Sequence, residues 1–199
     1  MSRRASLPAA CALAFACAAL ASTPASAIST YGAWDGSNYV DPFGCDSTAT
    51  YGQVITVTGK TTLNNFAFSW ATYNNTTGSM VVRGEVYAWD GTKATGNALW
   101  ESQPRKIAFH DSAFHVESFK PGALPLTLHQ QYVLFASFSK DFGSCKNNYE
   151  LKWGLINNES AYRKGTFVYQ NNGADASQWT TASWNTTYGG DLAFKAALH

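Results

Sequence analysis

Apolar and polar positions alternate with a period of two along most of this chain. Residues 63–70 read Leu-Asn-Asn-Phe-Ala-Phe-Ser-Trp and place Phe66, Phe68 and Trp70 on one face of an extended strand. Residues 80–89 set Val82, Val86 and Ala88 against Val81, Arg83, Glu85 and Tyr87. Residues 132–138 are apolar on both faces and read as a central strand. Residues 149–153 alternate cleanly, as do Phe167 with Tyr169 and Leu192 with Phe194. Weaker runs cover 53–57, 98–101, 114–119 and 124–128. Such stretches, rich in β-branched and aromatic side chains, form half-buried strands.

Turn-forming residues separate the runs: Asn-Asn-Thr-Thr-Gly at 74–78, Asp90-Gly91, Lys120-Pro121-Gly122, Asn171-Asn172-Gly173 and Gly189-Gly190. They tolerate positive φ or pre-set a turn. Apolar spacing of three and four is not sustained anywhere in the mature chain, so no long helix is expected there. About ten short strands cannot form one flat sheet without leaving an apolar face in water. The sequence therefore predicts an all-β, antiparallel β-sandwich of jelly-roll type over residues 51–199. Residues 28–50 differ in character, with Tyr31, Trp34, Tyr39 and Phe43 set among Gly, Asp, Asn and Ser. They read as an N-terminal extension.

The leader changes the chemistry of everything after it. Arg3 and Arg4 precede an apolar stretch from Leu7 to Leu20, and Ala25-Ser26-Ala27 offers a small-x-small cleavage site. That is the pattern of a signal peptide over residues 1–27, and it predicts a secreted protein, extracellular or periplasmic. Leu13 stands four residues before Cys17 rather than three, so cleavage and release are expected instead of lipid modification. Removing 27 of the 199 residues leaves 172, enough for one domain. Loss of Arg3 and Arg4 turns a formal charge of +1 into −1. The remaining charges are scattered, which argues against nucleic acid as a partner. After the leader no apolar run approaches the roughly 18 residues of a membrane span. Cys45 and Cys145 are the cysteines left, and in an oxidising compartment they are expected to pair.

Aromatic residues are the strongest functional lead. The chain has 7 Trp, 10 Tyr and 12 Phe, and of these only Phe15 lies in the leader. Trp and Tyr present a flat π face to the C–H face of a pyranose, while Asn, Asp and Gln bind its hydroxyls. Residues 178–188, Gln-Trp-Thr-Thr-Ala-Ser-Trp-Asn-Thr-Thr-Tyr, have that composition. Trp34 with Tyr39, and Trp89 beside the Asp90-Gly91 turn, share it. Trp70, Trp100 and Trp153 are assigned to the core. Trp34, Tyr39, Trp89, Trp179, Trp184 and Tyr188 are the candidate ligand-binding residues, with Trp34, Trp179 and Trp184 expected in water on surface segments.

Other chemistry finds less support. Glu85, Glu101, Glu117 and Glu150 fall in expected strands, but on their polar faces, where a glutamate is ordinarily solvated. His110 and His115 lie five residues apart, which in a strand turns the rings to opposite faces. No zinc or serine-nucleophile motif is present. Asp41, Asp46 and Asp90 could contribute to a calcium site, yet no spaced aspartate ladder accompanies them. No metal ligand set, no cofactor and no catalytic residue is assigned. The sequons at Asn74, Asn75, Asn158 and Asn185 mark exposed loops.

The stretch Val86-Tyr87-Ala88-Trp89-Asp90-Gly91, followed by Gly96-Asn97-Ala98-Leu99-Trp100-Glu101-Ser102, is similar to part of the jelly-roll-like domains of secreted and surface bacterial proteins. Leu128, Tyr132-Val133-Leu134-Phe135 and Asp191-Leu192-Ala193-Phe194 extend the resemblance across most of residues 51–197. It implies a β-sandwich and an exported protein and supplies no catalytic residues. The chain closes at Leu198-His199 without a sorting tail, so release is expected over anchoring. The expected function is a secreted non-catalytic binding module for a polysaccharide or cell-surface glycan. The alternatives are a small jelly-roll glycoside hydrolase, which needs two carboxylates about 5 Å apart, and a structural or adhesive envelope protein.

Overall fold

The alternating run Phe66-Ala67-Phe68-Ser69-Trp70 lies within β4 (Thr62–Thr72), and its three large rings are fully buried on the inward face. This is the computed structural model of residues 26–73, 77–157 and 161–199. The signal peptide expected over 1–27 lies outside the described residues except at its last two positions, and so do the sequons at Asn74, Asn75 and Asn158.

Two antiparallel sheets form a sandwich. The first is ordered β1 (Ser26–Ser29), β14 (Phe194–Leu198), β4, β11 (Glu150–Ile156) and β13 (Asp191–Leu192). Within it β2 (Tyr39–Gly44) pairs with β11, while β8 (His115–Phe119) and β9 (Leu124–Pro125) pair with β4. The second is ordered β12 (Phe167–Gln170), β3 (Thr50–Thr56), β10 (Gln131–Ser137), β5 (Met80–Trp89) and β6 (Ala94–Glu101), with β7 (Arg105–Ile107) on β5. The run read as a central strand is central: β10 lies between β3 and β5, with Leu134 opposite Gln53 on one side and Val86 on the other.

Aromatic rings fill the space between the sheets. The Trp70 and Trp153 ring centroids are 4.7 Å apart, and Phe43 packs 5.1 Å from Trp153. Trp70 and Trp153 are fully buried, and half-buried Trp100 places its ring edge-on to Phe66 at 5.9 Å. One polar tie crosses the core. Gln53 Nε2 donates to Asp191 Oδ1 at 2.7 Å, and the Leu192 amide donates to Gln53 Oε1 at 2.9 Å. Burial pushes the Asp191 carboxyl up to about 6, although the hydrogen bonds from Gln53 and the Tyr162 amide act to lower it.

The segment read as an extension contributes β2 and the second half of β1 to the first sheet, the first half being the last two residues of the leader pattern. β1 pairs with β14, and β2 pairs with β11 from Tyr39 to Gly44. Pro42 and Gly44 hid β2 from the period-two reading, since both residues are poor strand formers. Gly44 is required there, because a Cβ would lie 2.4 Å from the Tyr149 carbonyl oxygen. The Cys45–Cys145 disulfide fastens the end of β2 to the segment before β11, across 100 residues of chain. Closing so long a loop in the unfolded state removes conformational entropy worth roughly 4–5 kcal/mol in the chain-entropy picture.

Candidate functional site

The six aromatic residues singled out from the sequence separate into three places. Trp179 lies in the one-turn helix α1 (Gln178–Thr181), and Trp184 follows it. Contrary to the expectation of exposure, Trp179 is 2 % and Trp184 5 % accessible. Both rings pack on the outward face of the second sheet, against Phe135 at centroid distances of 5.0 and 5.2 Å. Trp89 meets Trp184 edge-on at 5.7 Å. The indole N–H groups are satisfied within the protein, Trp179 donating to Thr50 Oγ1 at 3.0 Å and Trp184 to the Trp179 carbonyl at 2.9 Å. These rings form a roof. The reason is that Val54, Tyr87, Val133, Phe135 and Val168 make this outward face apolar, and a second hydrophobic cluster must cover it.

The same roof corrects the reading of the glutamates. Glu85 on β5 is fully buried rather than solvated. It stands directly opposite Glu101 of β6, and Lys140 bridges the two at 2.9 and 2.6 Å. Arg83 pairs with Glu101 and with Asp141, each at 2.7 Å, closing a five-residue ionic network. Lys140 also lies 5.1 Å over the Trp179 ring. Burial drives the Glu85 carboxyl up to about 7, against the lowering effect of Lys140. For Glu101, burial acts to raise the pKa, but hydrogen bonds from Lys140 and Arg83 together hold it below the ordinary value. Glu85 and Glu101 are cross-strand neighbours bridged by one lysine, and so are the pair to weigh for hydrolysis. Glu85, however, is sealed from any substrate, and Lys140 and Arg83 occupy the carboxylate oxygens of Glu101.

Trp34 and Tyr39 lie across the molecule, on the outward face of the first sheet. Trp34 is half-buried, its Nε1 donates to the Asn38 carbonyl at 2.8 Å, and its ring meets Phe114 edge-on at 4.8 Å. It covers Gly154 so closely that a Cβ there would lie 2.8 Å from Trp34 Cζ2. Tyr39 is 41 % exposed, with the Lys152 ammonium 4.7 Å over its ring. One ring thus serves as a cover and the other already carries a cation.

Tyr188 is placed differently. It is 54 % exposed and lines a groove of about 420 Å3 at the open edge of the sandwich. Asp41 and Pro42 come from β2, and Asp46, Ser47 and Thr48 from the turn around Cys45. Tyr51 of β3, Tyr169 of β12 and Asn171 complete the wall. Tyr51 and Tyr169 are register partners in the β3–β12 pair, and Tyr188 packs 5.6 Å from Tyr169 and 6.2 Å from Phe167. Thr48 Oγ1 donates to Asn171 Oδ1 at 2.6 Å, and the buried Tyr51 hydroxyl donates to the Pro42 carbonyl at 3.3 Å. The Tyr51 phenol is pushed up, first by burial and then by Tyr188, Asp41 and Tyr169 near it.

This groove gathers residues that the sequence reading kept apart. In sequence Tyr188 is a ligand candidate, Asp41 and Asp46 are calcium candidates, and Tyr169 and Asn171 belong to a strand and a turn. One signal links them in the chain: Asp41 and Asp46 flank a cysteine whose partner fixes that turn. The third calcium candidate, Asp90, instead caps its own turn, with Oδ1 accepting from the Thr92 and Lys93 amides at 2.8 and 2.9 Å. His110 and His115 are not on opposite faces of one strand, because only His115 lies in a strand, at the start of β8. His115 stacks on Phe109 at 4.4 Å and bonds Asp111 Oδ1 at 2.7 Å.

Among the described residues no cluster of three or more His, Cys, Asp or Glu could hold a metal ion, and no helix is long and apolar enough to cross a membrane. No protein-family model matches the chain, and no curated protein matches it. Its class is defined by architecture and site, as an antiparallel β-sandwich with a tyrosine-walled groove beside its disulfide.

Proposed function

We propose that this protein is an exported, non-catalytic binding module that takes a saccharide segment at the groove between β2 and β12. The observation that carries the reading is the composition of that groove. A half-exposed Tyr188 stands beside Tyr169, with the hydroxyl, amide and carboxylate groups of Ser47, Asn171, Asp41 and Asp46 around them. Tyrosine faces bury sugar C–H surface, and the polar rim accepts and donates to hydroxyls. Export is supported by the leader pattern at residues 1–27 and by a disulfide suited to an oxidising compartment. The resemblance to jelly-roll-like domains of secreted proteins points the same way. The tryptophans of the roof take no part.

Titration calorimetry against a panel of polysaccharides tests the proposal. Saturable binding is expected, weakened at least about tenfold, or ~1.4 kcal/mol, by Tyr188→Ala in a protein that still folds. Absence of binding across the panel, or a silent Tyr188→Ala, retires the proposal. Asp41 and Asp46 share the groove and are the carboxylates that a hydrolase would need. Release of reducing sugar that disappears in Asp41→Asn reassigns the groove to catalysis.

A further inference from the structure

The two carboxylates of the groove differ from the other aspartates of the described residues. Asp35, Asp90, Asp111 and Asp175 accept amide hydrogens in their own turns. Asp141 pairs with Arg83, and Asp191 accepts from Gln53 and the Tyr162 amide. Asp41 and Asp46 have neither a hydrogen bond nor an ion pair among the described residues, and no Lys, Arg or His lines the groove with them. Two carboxylates without partners therefore line one concavity, and Tyr51, Tyr169 and exposed Tyr188 form its other wall. A cation gains from both elements, because carboxylates attract it directly and tyrosine faces attract it through the ring quadrupole. An anionic sugar is repelled by the carboxylates, and its charge gains nothing from the ring quadrupole.

We infer that the groove selects a positively charged glycan, a polymer of amino sugars carrying free ammonium groups. This inference rests on the saccharide reading and narrows it. The ammonium group takes the place of the cation that Asp41 and Asp46 lack, while the pyranose lies against Tyr188. Uronic acids and sulfated chains are excluded by charge. N-acetylation removes the ligand's charge and leaves its ring, so it isolates the electrostatic part of recognition.

The experiment is calorimetric titration of the folded protein with oligomers of β-1,4-linked glucosamine and with their fully N-acetylated counterparts of equal length. It is run at about pH 6, below the ordinary range of amines and above that of carboxylates. The free-amine oligomer is expected to bind at least about tenfold more tightly. The preference should shrink in high salt as screening shortens the reach of the carboxylates. Asp46→Asn and Asp41→Asn should each reduce it, and exposed Asp46 is the substitution that leaves the fold untouched. Equal affinities, or a preference for the acetylated oligomer, overturn charge selection and leave the saccharide reading standing. A preference that survives both Asn substitutions also overturns it, because the cation is then read elsewhere. If neither these oligomers nor any polysaccharide binds, both readings fall, whether or not a lysine-rich peptide does.

Discussion

The roof over the second sheet and the groove at its edge are built from the same kinds of residue and do opposite things. In the roof, Trp179, Trp184 and Glu85 are withdrawn from water, and both indole N–H groups and one Glu85 oxygen are bonded within the protein. In the groove, Tyr188, Asp41 and Asp46 are left with free faces and free oxygens. The difference lies in what each segment rests on. Residues 178–184 lie over Val133 and Phe135, an apolar surface that gains by being covered. Tyr188 lies past the last strand of that sheet, where Tyr169 and Phe167 support its ring without enclosing it. Aromatic content in a loop therefore marks covering and binding equally well, and the surface beneath decides between them.

Truncating the roof should give the largest effect. Trp179→Ala removes a buried ring, its bond to Thr50 and its contact with Lys140, and is expected to cost about 3–5 kcal/mol of stability. Denaturant unfolding measures this, and saccharide binding by the folded fraction should be unchanged. A small loss would mean that the roof is dispensable and would erase the contrast with the groove.

Next in size is a pH dependence carried by Glu85 under the roof and by Asp191 in the core, and not by the groove. Glu85 is raised from 4.5 to about 7 and Asp191 from 3.8 to about 6, both by burial. In each case the folded protein holds a proton that the unfolded chain has released. Stability should therefore fall as pH rises from about 4 through 7, and the loss should be complete above that. The Glu85 share is on the order of 3 kcal/mol. Glu85→Gln should flatten the upper part of this slope in unfolding curves taken across pH. A wild-type protein whose stability rises over the same interval would show that Glu85 is ionised against Lys140 at all these values.

The smallest stability effect should come from the groove. Tyr188→Ala is expected to change unfolding free energy by less than about 1 kcal/mol, because more than half of the side chain is already in water. A Tyr188 variant as unstable as Trp179→Ala would place both residues in one structural role.

Much of the sandwich could be read from alternation. Phe66, Phe68 and Trp70 share a face because strand side chains repeat every two residues, and that rule needs no tertiary information. The double-sided apolar run at 132–138 announced β10 as central for the same reason. The Cys45–Cys145 bond matches the pairing expected of the two cysteines that follow the leader pattern. The site was less legible. Alternation put Glu85 and Tyr87 together on one face of β5, correctly, but it could not say whether that face meets water. Nothing local in Gln178–Thr181 distinguishes a helix that roofs a sheet from a loop that greets a ligand.

What the chain determined by itself was periodicity, and with it the all-β class, the two-faced strands and a core rich in aromatic rings. Those properties depend on neighbours along the sequence. The tertiary structure alone decided which faces are covered and which groups are left without partners. Burial of Trp179 depends on Phe135, and the groove depends on Asp41 arriving beside Tyr169 and Tyr188 from more than a hundred residues away. Contacts of that range arise only when two sheets pack and their edges meet.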